Sequence, residues 1–104
     1  MAFSGEEEGL LGSAYFTQNP TYPIEKINCM INLDMVGRLD TSKKELAVYA
    51  VGTSPSWDSM IHSTDTSNLT LIRHSSGVGP SDQTSFYLKK IPVLHFFTGS
   101  HEDY

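Results

Sequence analysis

Short apolar runs, each closed by polar or turn-forming residues and separated by stretches with helical start signals, constrain this chain more than any other feature. Residues 2–3, 27–33, 46–51, 69–72 and 91–97 have the β-branched or apolar content of strands. Between the first two, Leu10, Leu11, Ala14 and Tyr15 form the apolar stripe of a helix over residues 9–18, which Asn19-Pro20-Thr21-Tyr22-Pro23 breaks. Ser54-Pro55 sets a cap and a first-turn proline for a helix running to Thr64, whose Trp57, Met60 and Ile61 are expected to pack on the sheet. Ser81 opens a capped helix to Leu88. Helices alternating with strands predict a single α/β sheet domain, without repeats or low-complexity segments.

Three of these strands are expected to finish in polar residues: Glu6-Glu7 after the first, Asp34 after the second, and His101-Glu102-Asp103 after the last. Open α/β sheets place their sites at the carboxyl ends of strands. In the run Phe3-Ser4-Gly5-Glu6-Glu7-Glu8-Gly9-Leu10-Leu11-Gly12-Ser13, successive side chains point to different sides. One carboxylate can therefore ligate a metal while its neighbour receives a proton from water. The plain alternative is a solvated acidic helix start favoured by the macrodipole. Carboxylates and imidazoles brought together suit a zinc-like divalent ion.

Twelve Asp and Glu against seven Lys and Arg leave no basic face, so nucleic acid and anionic membranes are poor partners. Cys29 is the single cysteine, which excludes an intrachain disulfide; its apolar neighbours suggest a small buried hydrophobe. No stretch approaches a membrane span, and the first residues lack the pattern of a signal peptide. A strand at the very start and an apolar strand just before Tyr104 read as a chain taken from within a longer protein.

The acidic run, the block Asn32-Leu33-Asp34-Met35-Val36-Gly37, and Ser81-Asp82 followed by Ile91-Pro92 and Phe97-Thr98-Gly99-Ser100-His101-Glu102-Asp103-Tyr104 together resemble the M28 family of co-catalytic zinc aminopeptidases. The blocks match in order and spacing along nearly the whole chain. The resemblance implies a mixed, mostly parallel β-sheet flanked by helices, the three-layer sandwich of the zinc exopeptidases, with residues 1–104 as its C-terminal-side portion. It implies that Glu6 is the general base, Glu7 a ligand of one zinc and Asp34 a ligand of the other. Asp82 is expected behind the ligands or near the substrate amine. The substrate would be a peptide cleaved after its first residue, and an extracytoplasmic location is the expectation, since family members are commonly exported.

Departures accompany the match. The family's first His ligand and its bridging Asp lie upstream of the Glu-Glu block, its last His ligand follows the final Asp-Tyr, and Gln83 stands where the family often has His. Each of the two zincs would keep one unshared ligand here, so the chain alone is expected to bind zinc weakly and to cleave nothing. Alternatives are a non-catalytic binding or scaffold domain on the same fold, against which the three intact acids argue, and a single-zinc acyltransferase resembling the glutaminyl cyclases. An open sheet edge is expected to favour homo-oligomers or strand swapping. His95, inside a strand, reads as a satisfied sheet-face histidine, and 77–80 as a loop or cleft wall. No Gly-x-Ser-x-Gly elbow supports a serine hydrolase.

Overall fold

In the computed structural model, which describes residues 1–102, four strands form one mixed sheet. They are β1 (Met30–Asp34), β2 (Glu45–Tyr49), β3 (Thr70–Arg73) and β4 (Val93–Phe97), in the spatial order β1-β4-β2-β3. The pairs β1/β4 and β2/β3 are parallel, and β2/β4 is antiparallel. Helices α1 (Leu11–Gln18), α2 (Trp57–Thr64) and α3 (Gln83–Tyr87) flank the sheet. The fold is thus the mixed, mostly parallel α/β architecture expected from the sequence. No helix among the described residues is long and apolar enough to cross a membrane.

Strand alternation divides the core in two. On one face Val93 and Met30 meet Phe86 of α3 and Phe16 of α1, with Phe3 inserted between them. The rings of Phe3, Phe16 and Phe86 lie 5.9 Å apart pairwise. On the other face Val48 and Leu94 meet Trp57 and Ile61 of α2. Burying a large apolar side chain contributes about 1.5–3 kcal/mol, so these rings and aliphatic groups dominate the cohesion of the layers.

Thr53 ties three elements together. Its Oγ1 accepts hydrogen bonds from Trp57 Nε1 (3.1 Å) and Val93 N (3.0 Å), and its single proton goes to Ala50 O (2.8 Å) or Val93 O (2.9 Å). The 3-10 turn after β2 (Val51–Thr53) is thereby fixed to β4 and to the start of α2.

Several expectations need correction. Residues 2–3 form no strand; Phe3 is an aromatic plug beneath α1 and α3. Helix α2 begins at Trp57, after Ser54-Pro55, and neither α2 nor α3 has a side-chain cap. Met60 is 50% exposed, because only the Trp57/Ile61 side of α2 faces the sheet. Cys29 is exposed, since β1 starts one residue later.

Candidate active site

The acidic run folds as a tight loop ahead of α1. Glu6 O accepts hydrogen bonds from Gly9 N (3.1 Å) and Leu10 N (3.0 Å), and Leu11 N and Gly12 N reach back to Gly5 O (3.0 Å) and Ser4 O (2.9 Å). Gly9 has φ +104°, which a residue with a Cβ adopts only under strain and which reverses the chain just after the acids. Glu6 and Glu7 consequently line one cleft, and Glu8 does not.

Asp34 enters the same cleft from the end of β1, where Met35 turns off in the left-handed region at φ +50°. Thr98, just past β4, donates its hydroxyl to Met35 O, or alternatively to Arg38 O (3.0 Å), and so holds that turn. The cleft has a volume of about 540 Å³, with Leu10, Met35, Pro80 and Phe97 as its apolar walls. Of the 77–80 loop, Pro80 is among the residues that line this cleft.

A buried polar network orients Asp34. Asn32 Nδ2 lies 2.9 Å from Ser81 Oγ, 3.1 Å from Gln83 Oε1 and 3.1 Å from His95 Nδ1. Ser81 Oγ in turn lies 2.9 Å from Asp34 Oδ2. When the hydroxyl accepts from Asn32, its one proton is directed to Asp34. Burial pushes the His95 imidazole below its ordinary pKa, with the Asp34 charge opposing, so His95 is a neutral partner of this network, as expected of a sheet-face histidine. Asn32, Ser81, Gln83 and His95 escaped the sequence reading as members of the site. The alternation Met30-Asn32-Asp34 was the available signal, because it puts Asn32 on the face of Asp34.

Glu6 is held above the ordinary carboxylate range, first by burial and then by the charges of Asp34, Glu7 and Asp82. Asp82 does not line this cleft. It is 9% exposed, its Oδ1 has no hydrogen-bond partner, and it borders a neighbouring space of about 440 Å³ beside Phe3 and Asn32.

The donor set fits a divalent ion in part. Glu7 and Asp34 present hard oxygen donors to one cleft, yet no group of three or more His, Cys, Asp or Glu side chains comes together among the described residues. Ser100 reaches the cleft wall, whereas His101 is half-buried with Nδ1 unpartnered and belongs to no such group. Asp103 lies outside the described residues.

No match is found among curated proteins. Among solved structures, the chain is similar to BSAP, a zinc aminopeptidase from Bacillus subtilis, at 28% identity and a TM-score of 0.74, covering 97% of this chain and 25% of that one. It is similar also to an aminopeptidase from Aneurinibacillus sp. strain AM-1, at 26% identity and a TM-score of 0.63, covering 96% and 24%. The chain therefore spans about a quarter of the length of these solved structures. The sequence profile of peptidase family M28 matches residues 1–104, and the chain belongs to that family.

Proposed function

We propose that this chain supplies the acid-bearing part of a zinc aminopeptidase site, with Glu6 as general base and Glu7 and Asp34 as zinc ligands. The observation that carries the reading is the convergence of these three carboxylates on one cleft, where burial and neighbouring charges raise the pKa of Glu6. Zinc, when bound, would acidify water and polarise the scissile carbonyl. Glu6 would take a proton from the attacking water and pass it to the leaving amine, a task its raised pKa suits because a stronger base accepts protons closer to neutral pH. Glu7 would hold one zinc and Asp34 the other, and Ser81 would keep Asp34 in one orientation for its ion. Leu10, Met35 and Phe97 would exclude water around the substrate's first side chain.

Two ligand carboxylates fall short of the three protein ligands of a zinc site, so the described residues alone would bind zinc weakly and without turnover. Calorimetric zinc titration of the chain tests this. Weak binding that drops further in Glu7→Ala supports the reading, and binding indifferent to both Glu7→Ala and Asp34→Asn overturns it. Chelator-sensitive hydrolysis of aminoacyl substrates by the chain would overturn the ligand count.

A further inference from the structure

The acid cleft does not end at β4. Phe97 forms part of its wall and also part of a second depression of about 240 Å³, lined by Ala47, Tyr49, Ile72, His74 and Gly99. The strand register explains the continuity. Asp34 is opposite Phe97, Phe97 is opposite Ala47, and Ala47 is opposite Ile72, so the four side chains form one row across one face of the sheet. With neighbouring strands about 4.8 Å apart, the row runs about 14 Å from Asp34 to Ile72. An extended peptide advances about 3.3–3.6 Å per residue, so this distance corresponds to about four residues.

A parallel row of rings borders it. The His74 ring stacks on Tyr49 at 4.3 Å and 11°, and His95 lies 5.5 Å from Tyr49 on its other side. Among the described residues the helices leave this region open: α1 and α3 pack over β1 and β4, and α2 lies on the opposite face. Ile72 is 38% exposed and His74 is exposed. The surface is thus mainly apolar and aromatic, with Glu45 and Thr98 also in its lining, and it meets at Phe97 the cleft whose carboxylates would attract a free amino terminus.

We propose that this track binds the part of an extended peptide substrate beyond its first residue, favouring apolar or aromatic side chains there. The inference rests on the reading of the acid cleft as an aminopeptidase site. A single residue precedes the first peptide bond and is accommodated by the cleft, so the remainder of the chain must leave it along the surface. The row through Phe97, Ala47 and Ile72 offers that path with flat rings and aliphatic groups to cover it.

The test is amide NMR of the 104-residue chain titrated with leucinamide and with the tetrapeptide Leu-Ala-Phe-Ala. Leucinamide is expected to shift only residues of the acid cleft, such as Glu7, Leu10 and Met35, while the tetrapeptide shifts these together with Ala47, Ile72 and His74. Ile72→Ser and His74→Ala, both at exposed positions, should each weaken the tetrapeptide about fivefold and leave leucinamide unchanged, as loss of part of one apolar contact predicts. Tetrapeptide shifts confined to the acid cleft overturn the track and leave the aminopeptidase reading standing. Shifts in the track without the cleft also overturn it, since the continuity through Phe97 would then play no part. Leucinamide that leaves the cleft residues unmoved overturns the parent reading instead.

Discussion

Gly12→Ala sets two opposing effects against each other at the loop that carries the acids. Gly12 is the second residue of α1, where alanine normally gains about 1 kcal/mol over glycine from helix propensity. Here, however, an added Cβ would sit 2.6 Å from Ser4 O and 2.8 Å from Ser4 N. Both neighbours are backbone atoms, held by the bond from Gly12 N to Ser4 O at 2.9 Å, so they cannot swing aside as the end of a side chain would. Relieving the clash strains or breaks that bond and the adjacent one from Leu11 N to Gly5 O, about 1 kcal/mol each. Residual overpacking adds about 1–3 kcal/mol. After the propensity gain is subtracted, the net loss is about 2–4 kcal/mol. With a urea m-value of about 1–3 kcal/mol/M, the unfolding midpoint should fall by about 1 M or more. Gly37→Ala, where nothing lies within 4 Å, serves as the control and should stay within about 0.5 kcal/mol. A Gly12→Ala midpoint equal to or above that of the parent chain would refute the steric argument and leave propensity in command.

Three shorter expectations follow. Ser81→Ala removes the hydrogen bond to Asp34 Oδ2 and should lower zinc affinity about 10–100-fold by calorimetry, with a change under twofold counting against the orienting role. His95 has a folded-state pKa below its ordinary 6.5, so the unfolded chain binds more protons below that value; stability should be full above pH 6.5 and decline as pH falls beneath it. Thermal unfolding between pH 8 and 5 checks the sign, and His95→Gln should flatten the slope. Finally, β1 is an edge strand of the described sheet, with Ile31 55% and Leu33 64% exposed beside it, so the chain should self-associate through this edge. Light scattering that shows a strict monomer at high concentration would sink that expectation, and Ile31→Lys should abolish any dimer seen.

How much of this was legible in the sequence depended on the range of the interaction concerned. Local signals located β1 to β4 and all three helices within a few residues, because alternation and breakers act over neighbouring positions. The expected strand at residues 2–3 failed because so short an apolar run cannot specify a partner, and the partners proved to be Phe16 and Phe86 rather than another strand. Cys29 failed by one position: apolar neighbours do not reveal which side of a strand entry meets solvent. The antiparallel insertion of β2 beside β4 follows from packing between distant segments and has no local signature. The positions of the acids were readable, since Glu6 and Glu7 follow the turn at Gly5 and Asp34 closes β1 just before the turn at Met35. The network behind Asp34 was not, because Asn32 meets Ser81, Gln83 and His95 across 49 to 63 positions.

The cleft concentrates negative charge in a way a purely structural loop has no reason to do. Glu6 feels Asp34, Glu7 and Asp82 at once and is partly withdrawn from water, and each effect disfavours its ionised form in the folded state. A carboxyl whose folded pKa lies above its unfolded value binds more protons when folded, so the fold loses stability as pH rises through the interval from 4.5 upward to that pKa. Among the described residues, no Lys or Arg side chain lines the cleft to offset this. Divalent cations bound at Glu7 and at Asp34 would reverse the balance: they would offset the repulsion, lower the Glu6 pKa, and stabilise the folded chain by mass action. The repulsion among these carboxylates at neutral pH is one that bound cations would relieve, so added zinc should raise the stability of the folded chain.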